Sequence, residues 1–203
     1  MSLCGAWKCA YAGRMTERTD DGKSRCSWVN LNNPAYVAYH DSEWCVPTHD
    51  DHELFEMLVL EGFQAGLTWE SILNRRQGFR DAFDNFDVNA VAAYDERKMA
   101  DLKNDSRIIR NGAKIKAAVS NANIFRDIAA EYGSFANYLW NWSDGEVVYE
   151  VGQATSPLSD ALSKDLKKRG MKFVGPTIMY SYLQAAGIIN SHEPECYLYK
   201  VQR

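Results

Sequence analysis

Ile115-Lys116-Ala117-Ala118-Val119-Ser120-Asn121-Ala122-Asn123-Ile124-Phe125-Arg126-Asp127-Ile128-Ala129 is the stretch that decides the fold class. Its apolar residues Ile115, Ala118, Val119, Ala122, Phe125, Ile128 and Ala129 recur at helical spacing and make one apolar face several turns long. The spacing predicts a helix from about Gly112 that ends at Gly133, because glycine accepts the left-handed conformation that closes helices. Working outward, Asp50 or Asp51 caps a helix with Leu54, Phe55, Leu58 and Val59 inward and Gly62 near its end. Thr68 caps another, with Trp69, Ile72 and Leu73 inward. Asp87 precedes Val88, Val91 and Ala92 at the same spacing, and Ser134 starts a helix through Phe135, Tyr138 and Leu139. Ser159 opens Asp160–Arg169, where an acid in the first turn and three bases in the last fit the helix dipole. Pro176 suits the first turn of the next helix, with Gly187 just past its end. Strand alternation is hinted at only over Val147–Val151. The expected fold class is all-α.

The chain has 203 residues, enough for one domain with a sizeable core. Its composition, 46% hydrophobic and 25% charged, excludes a disordered chain. No run of apolar residues is long enough to span a membrane, and Met1–Arg14 lacks the apolar core of a secretory signal. Residues 1–24 read as a flexible extension, with polar residues and no periodic pattern from Arg14 to Arg25. Cys4, Cys9, Cys26, Cys45 and Cys196 are an odd, scattered set, which fits a reducing compartment better than a disulfide framework.

Charge is placed unevenly. Asp41–Glu61 holds seven acids and no Lys or Arg. Arg107, Arg110, Lys114 and Lys116 surround the turn Asn111-Gly112 without an acid, and a second basic run covers Lys164–Lys172. Helix-start N–H groups with nearby bases can hold a DNA phosphate without reading sequence. An ordinary turn between helices with solvated charges explains the same residues.

Two further patterns carry possible chemistry. Cys26 and His40 near one end, and His192 and Cys196 near the other, make a Cys₂His₂ set suited to tetrahedral zinc. By spacing alone His49, His52 and Cys45 compete with them. In Leu60-Glu61-Gly62-Phe63-Gln64-Ala65-Gly66-Leu67-Thr68-Trp69 a carboxylate ends an apolar helix, a glycine turn follows, and an aromatic starts the next helix. Trp28, Tyr36, Tyr39 and Trp44 cluster upstream. Rings can stack on a flat, electron-poor base while a carboxylate accepts hydrogen bonds from it. Read by itself, the segment equally fits a helix end with a solvent-facing Glu61.

In this order the patterns resemble one family. Arg25-Cys26-Ser27-Trp28, Tyr36-Val37-Ala38-Tyr39-His40-Asp41-Ser42-Glu43-Trp44, Leu54-Phe55-Glu56-Met57 and the Leu60–Trp69 segment are similar to the 3-methyladenine DNA glycosylase I family, bacterial members of the helix-hairpin-helix glycosylase superfamily. So are Ile108-Ile109-Arg110, Lys114-Ile115, Leu166-Lys167-Lys168-Arg169-Gly170, Phe173-Val174-Gly175-Pro176-Thr177-Ile178 and Asn190-Ser191-His192. The likeness runs from Arg25 to Tyr199. It departs at Cys45, where the family usually has glycine, at Ser27, which replaces a common glycine, and at the hairpin glycine, which is shifted by one position.

The resemblance implies a helix-hairpin-helix fold in one glycosylase domain, 25–203, with its termini joined by one structural Zn2+ on Cys26, His40, His192 and Cys196. It implies that Glu61 is the catalytic carboxylate, with Trp28, Tyr36, Tyr39 and Trp69 lining the base pocket. Gly66 and Leu67 would enter the gap left by a flipped nucleotide, and Arg110, Gly112 and Lys114 would bind the DNA backbone. The implied activity is base-excision repair. N3-methyladenine is flipped out of double-stranded alkylated DNA and its N-glycosidic bond is hydrolysed, leaving free 3-methyladenine and an abasic site with no lyase step. Many relatives in the superfamily use an Asp beyond the hairpin; Asp127, the only acid at about that place, is given no role. The expected setting is the bacterial cytoplasm, at the nucleoid, with no membrane partner and a monomeric enzyme.

Overall fold

The computed structural model describes residues 21–201. Asp21–Ser24, the described end of the expected extension, contact the rest of the chain. Ser24 O accepts from Tyr197 N at 2.8 Å, and Asp21 pairs with Arg25 at 2.7 Å. The expectations for residues 1–20, including Cys4 and Cys9, lie outside the described residues.

Ten α-helices occur among the described residues: α1 (Pro34–Ser42), α2 (Asp51–Gln64), α3 (Trp69–Leu73), α4 (Arg76–Ala82), α5 (Val88–Ala92), α6 (Glu96–Asn104), α7 (Gly112–Tyr132), α8 (Phe135–Trp140), α9 (Pro157–Lys168) and α10 (Pro176–Ala185). Two short strands, β1 (Val148–Tyr149) and β2 (Ile189–Asn190), pair in parallel, with Val148 opposite Ile189. The architecture is mostly helical, as expected.

Local chemistry sets the boundaries. Asn111 caps α7 by accepting from the N–H groups of Ala113 and Lys114, and Gly133 ends it at φ 85°. Asp50 caps α2 through His52 N and Glu53 N. The start of α9 lies earlier than Ser159 because Ser156 is the cap. The Ser156 and Ser159 hydroxyls each accept the other's N–H, and Pro157 fills the first turn. The spacing singled out none of α1, α4 and α6. Of these, α6 buries only Leu102, and α1 buries only Tyr39 and His40.

Helix α2 runs through the interior. Every residue from Leu54 to Glu61 is buried, so its apolar stripe covers more than one face. The main core packs α2 against α7 and α10 through Phe55, Leu58, Phe125, Ile128 and Leu183. Each such side chain contributes about 1.5–3 kcal/mol through the water it leaves. Glu56 is buried on the same helix and accepts from Arg76 at 2.6 Å and Arg80 at 3.0 Å. A second apolar cluster gathers Cys26, Val29, Tyr39, Trp44, Cys196 and Leu198 where the N- and C-terminal segments meet. Trp69 packs against both clusters and marks the seam between them.

Candidate active site

Glu61 sits on the last turn of α2, at that seam. It is 3% exposed. Burial pushes its carboxyl up to about 8, and neither a hydrogen bond nor a cation offsets the loss of water. The burial excludes the alternative of a solvent-facing helix end. Two phenols lie close enough to feel its charge. Burial, then Glu61, raises Tyr39 well above its ordinary range. Burial, with Glu70 and then Glu61, pushes Tyr36 up to about 12.

The rings come from separate elements. Tyr39 on α1 meets Trp69 on α3 with centroids 5.3 Å apart, and Trp28 from the N-terminal segment meets Tyr36 at 5.3 Å. Trp28 also meets Trp44 edge-on at 4.7 Å. The Trp69 indole N–H is buried with no hydrogen-bond acceptor. Glu70 holds the wall together by accepting from Asn30 at 2.7 Å and Asn33 at 2.8 Å. The structure thus brings Glu61, Tyr36, Tyr39 and Trp69 into one region, with Trp28 in ring contact with Tyr36. The ties through Asn30, Asn33 and Glu70 were missed, because pairs some forty residues apart leave no local pattern.

Beyond Glu61 the chain turns sharply. Gly66 has φ 80°, and Leu67 is 40% exposed at the surface of the turn. Leu67 N donates to Gln64 O at 2.7 Å, and Gln64 Nε2 donates back to Leu67 O at 2.8 Å.

At the α6–α7 turn, Arg110, Asn111 and Gly112 are exposed. Arg107 is engaged by Asp105 and Asp81. Lys114 lies inward from this turn: its side chain is buried, and its ammonium donates to Phe63 O at 2.8 Å and Ala65 O at 2.6 Å.

Cys26, His40, His192 and Cys196 also converge. All four are buried, and their ligand atoms lie within 4.8 Å of one another, a group able to hold a metal ion. His40 Nδ1 is 2.8 Å from Asp41, which turns Nε2 toward the sulfurs. Burial would raise Asp41, but hydrogen bonds from Arg25 and His40 outweigh it and hold the carboxyl low. The N–H groups of Glu193 and Leu198 point at the Cys26 and Cys196 sulfurs. The hydrogen bond between the two sulfurs lowers the Cys196 thiol and raises that of Cys26. Neither His49, His52 nor Cys45 joins the group. Cys45 has φ 60°, which explains why glycine is usual there; its sulfur accepts from Ser191 N at 3.3 Å. The other departure, Ser27, donates through its hydroxyl to Glu193 at 2.8 Å.

A helical scaffold that buries an unpaired carboxylate near aromatic rings, a few residues before an exposed apolar turn, defines a class of site suited to a flat, positively charged ring. The methyladenine glycosylase family model matches residues 28–199. DNA-3-methyladenine glycosylase 1 of Escherichia coli (strain K12) is 43% identical over 182 residues, which is 86% of this chain and 96% of that one. A crystal structure of 3-methyladenine DNA glycosylase I superposes with a TM-score of 0.83 at 42% identity, covering 87% of this chain and all of the other. The Staphylococcus aureus 3-methyladenine DNA glycosylase I, solved to show how it recognises 3-methyladenine, superposes with a TM-score of 0.80 at 32% identity, over 84% and 94% of the two chains. The chain belongs to the methyladenine glycosylase family. No helix among the described residues is long and apolar enough to cross a membrane.

Proposed function

We propose that this chain removes 3-methyladenine from double-stranded alkylated DNA, working as a monomer in the bacterial cytoplasm through one glycosylase domain, 25–203. The observation that carries this reading is Glu61, a buried carboxylate without a partner, set among Tyr36, Tyr39 and Trp69. Such a site is poor for a neutral base and good for a flat cation, since the rings stack on it and the carboxylate neutralises it. Flipping the lesion costs a few kcal/mol. Stacking returns about 1–3 kcal/mol per base, and Leu67, exposed beside the pocket, fills the gap in the duplex.

The N3-methylated base is already positive. When the N9–C1′ bond breaks, its electron pair goes to N9, the base leaves neutral and positive charge moves to the sugar. Water then adds to C1′ and releases a proton to solvent. Little acid assistance is needed, so Glu61 acts by favouring the cation in the pocket and placing water. Asp127 is exposed on α7, which agrees with its having no part. No lysine is assigned as a nucleophile, so the product is an abasic site in an unbroken strand. The experiment is release of free 3-methyladenine from methylated duplex, read by liquid chromatography. If no base is released while an intact duplex control with a known glycosylase yields it, the reading is wrong.

We also propose that the Cys₂His₂ group holds one structural zinc ion. Tetrahedral zinc, with Zn–S of about 2.3 Å and Zn–N of about 2.0–2.1 Å, keeps S and N about 3.5 Å apart. Three of the four S–N separations are 3.6, 3.5 and 3.6 Å. The group supplies no step of the chemistry; its role is to staple the terminal segments that carry Trp28, Tyr36 and Tyr39.

A further inference from the structure

We propose that Lys114 is a positioning residue for base excision: from α7 it clamps the end of α2 and so sets the Gly66–Leu67 turn relative to Glu61. The proposal rests on the glycosylase reading above and extends it to a side chain that touches neither base nor phosphate.

Helix α2 ends without a glycine cap. Ala65 leaves the helix at ψ 113°, and Gly66 makes the turn only afterwards. The last carbonyls of a helix need donors from elsewhere, and its C-terminal end favours positive charge. Leu67 N takes Gln64 O, and the Lys114 ammonium takes Phe63 O and Ala65 O. The clamp therefore grips the chain on both sides of Gln64, one residue before Gly66. Lys114 is fixed at its other end as well, where its own N–H donates to Asn111 Oδ1 at 3.2 Å. Phe173 covers the ammonium from 6.0 Å while packing over Gly62, the residue after Glu61. Phe173 does so at φ 55°, a conformation that bulky residues rarely adopt and that the surrounding packing must hold. One side chain thus ties the start of α7, where Asn111 and Gly112 face solvent, to the turn that carries Leu67. The two surfaces that meet the duplex are held in one register.

The test compares wild type with Lys114→Met, which keeps the length and removes the donors. Hydrogen exchange over residues 62–68, which needs no activity, should accelerate by about tenfold or more. Single-turnover release of 3-methyladenine from duplex should fall by about tenfold to a hundredfold. Affinity for the free base, read by tryptophan fluorescence, should stay unchanged. In a Leu67→Ala background the same change should cost far less, since the turn then has no side chain to place. The slope of duplex affinity against salt should match wild type, whereas loss of a phosphate contact would reduce it by about 0.9. Unchanged exchange, an equal loss in both backgrounds, or a reduced salt slope would each overturn the proposal. Should Lys114→Met fold poorly, Lys114→Arg keeps charge and donors but moves them outward; faster exchange and slower release support the clamp, and wild-type values for both refute it. If wild type releases no base while Lys114→Met loosens the turn, the activity fails and the clamp stands.

Discussion

Tyr39 and His40 are neighbours on α1 that serve different sites. The Tyr39 ring meets Trp69 beside Glu61 at 5.3 Å, while His40 Nε2 lies 3.5 Å from the Cys196 sulfur. Trp44 joins the two sites a second time, since it meets Trp28 at 4.7 Å and His192 at 4.8 Å. The Cys/His group and the rings near Glu61 are therefore packed as neighbours through α1 and Trp44, so the proposed zinc would steady the rings as well.

Metal loss should consequently be felt at the pocket. Purified protein should carry about one zinc per chain by mass spectrometry, and Cys196→Ser should lose it. Structural zinc contributes about 10–16 kcal/mol in small peptides. Even a loss of about 3 kcal/mol lowers Tm by about 6–12 °C at this size. Affinity for 3-methyladenine should weaken in the same variant although no pocket residue has changed.

Glu61→Gln removes the charge and keeps the shape. Loss of a comparable electrostatic contact costs about a hundredfold to a thousandfold in rate. For wild type, kcat/KM should rise with pH and level off above about 8, as the free enzyme ionises Glu61. The cationic base favours the carboxylate, so the limb in kcat should lie at lower pH. A Glu61→Gln variant with the wild-type rate, or with the same rising limb, would remove Glu61 from the mechanism.

The same group sets a stability trend. Its carboxyl rises from the ordinary 4.5 to about 8 in the folded protein, so the folded state binds the extra proton between those values. The contribution is fully present below about 4.5 and is lost as pH climbs through about 8. Denaturant midpoints of wild type should fall across that window relative to Glu61→Gln. The two proteins should differ least near pH 4.5 and most above pH 8.

Helix α7 was legible because both its ends are local: Asn111 caps one and Gly133 closes the other. The cap of α2 was legible too, but its burial on more than one face was not, since the burial of Glu56 and Glu61 depends on elements far along the chain. Helix α1 escaped for a related reason. Its apolar residues Ala35–Tyr39 run consecutively and form no one-sided stripe, and what buries Tyr39 and His40 is the meeting of the N- and C-terminal segments. Of the site, the identity of the four Cys/His residues and of Glu61 came from the family likeness; spacing left His49, His52 and Cys45 as rivals. The inward turn of Lys114 was not legible because charge beside an Asn-Gly turn points to solvent by default, and only the packing of α7 on α2 supplies its carbonyl partners.

Arg110 is an exposed base at the α6–α7 turn, two residues before Gly112. Arg110→Ala should weaken binding to all duplex sequences alike. The slope of log affinity against log salt should fall by about 0.9. Release of base at saturating protein should change little, because Arg110 is not part of the pocket.

Leu67 provides the sharpest separation of binding a base from extracting one. It is a large apolar side chain exposed on a short turn, where its carbonyl and N–H are both tied to Gln64. That arrangement fixes the backbone and leaves the side chain free to enter a duplex. Leu67→Ala keeps the turn, because neither hydrogen bond uses the side chain, and it leaves Glu61, Tyr39 and Trp69 in place. Affinity for free 3-methyladenine should stay as in wild type. Release from duplex should fall by about tenfold or more, as the gap left by the flipped nucleotide is no longer filled and the few kcal/mol of unstacking are less well offset. Release from single-stranded methylated DNA should fall much less, since there is no partner strand to hold open. Equal losses on the two substrates would show that Leu67 shapes the pocket and does not act on the helix.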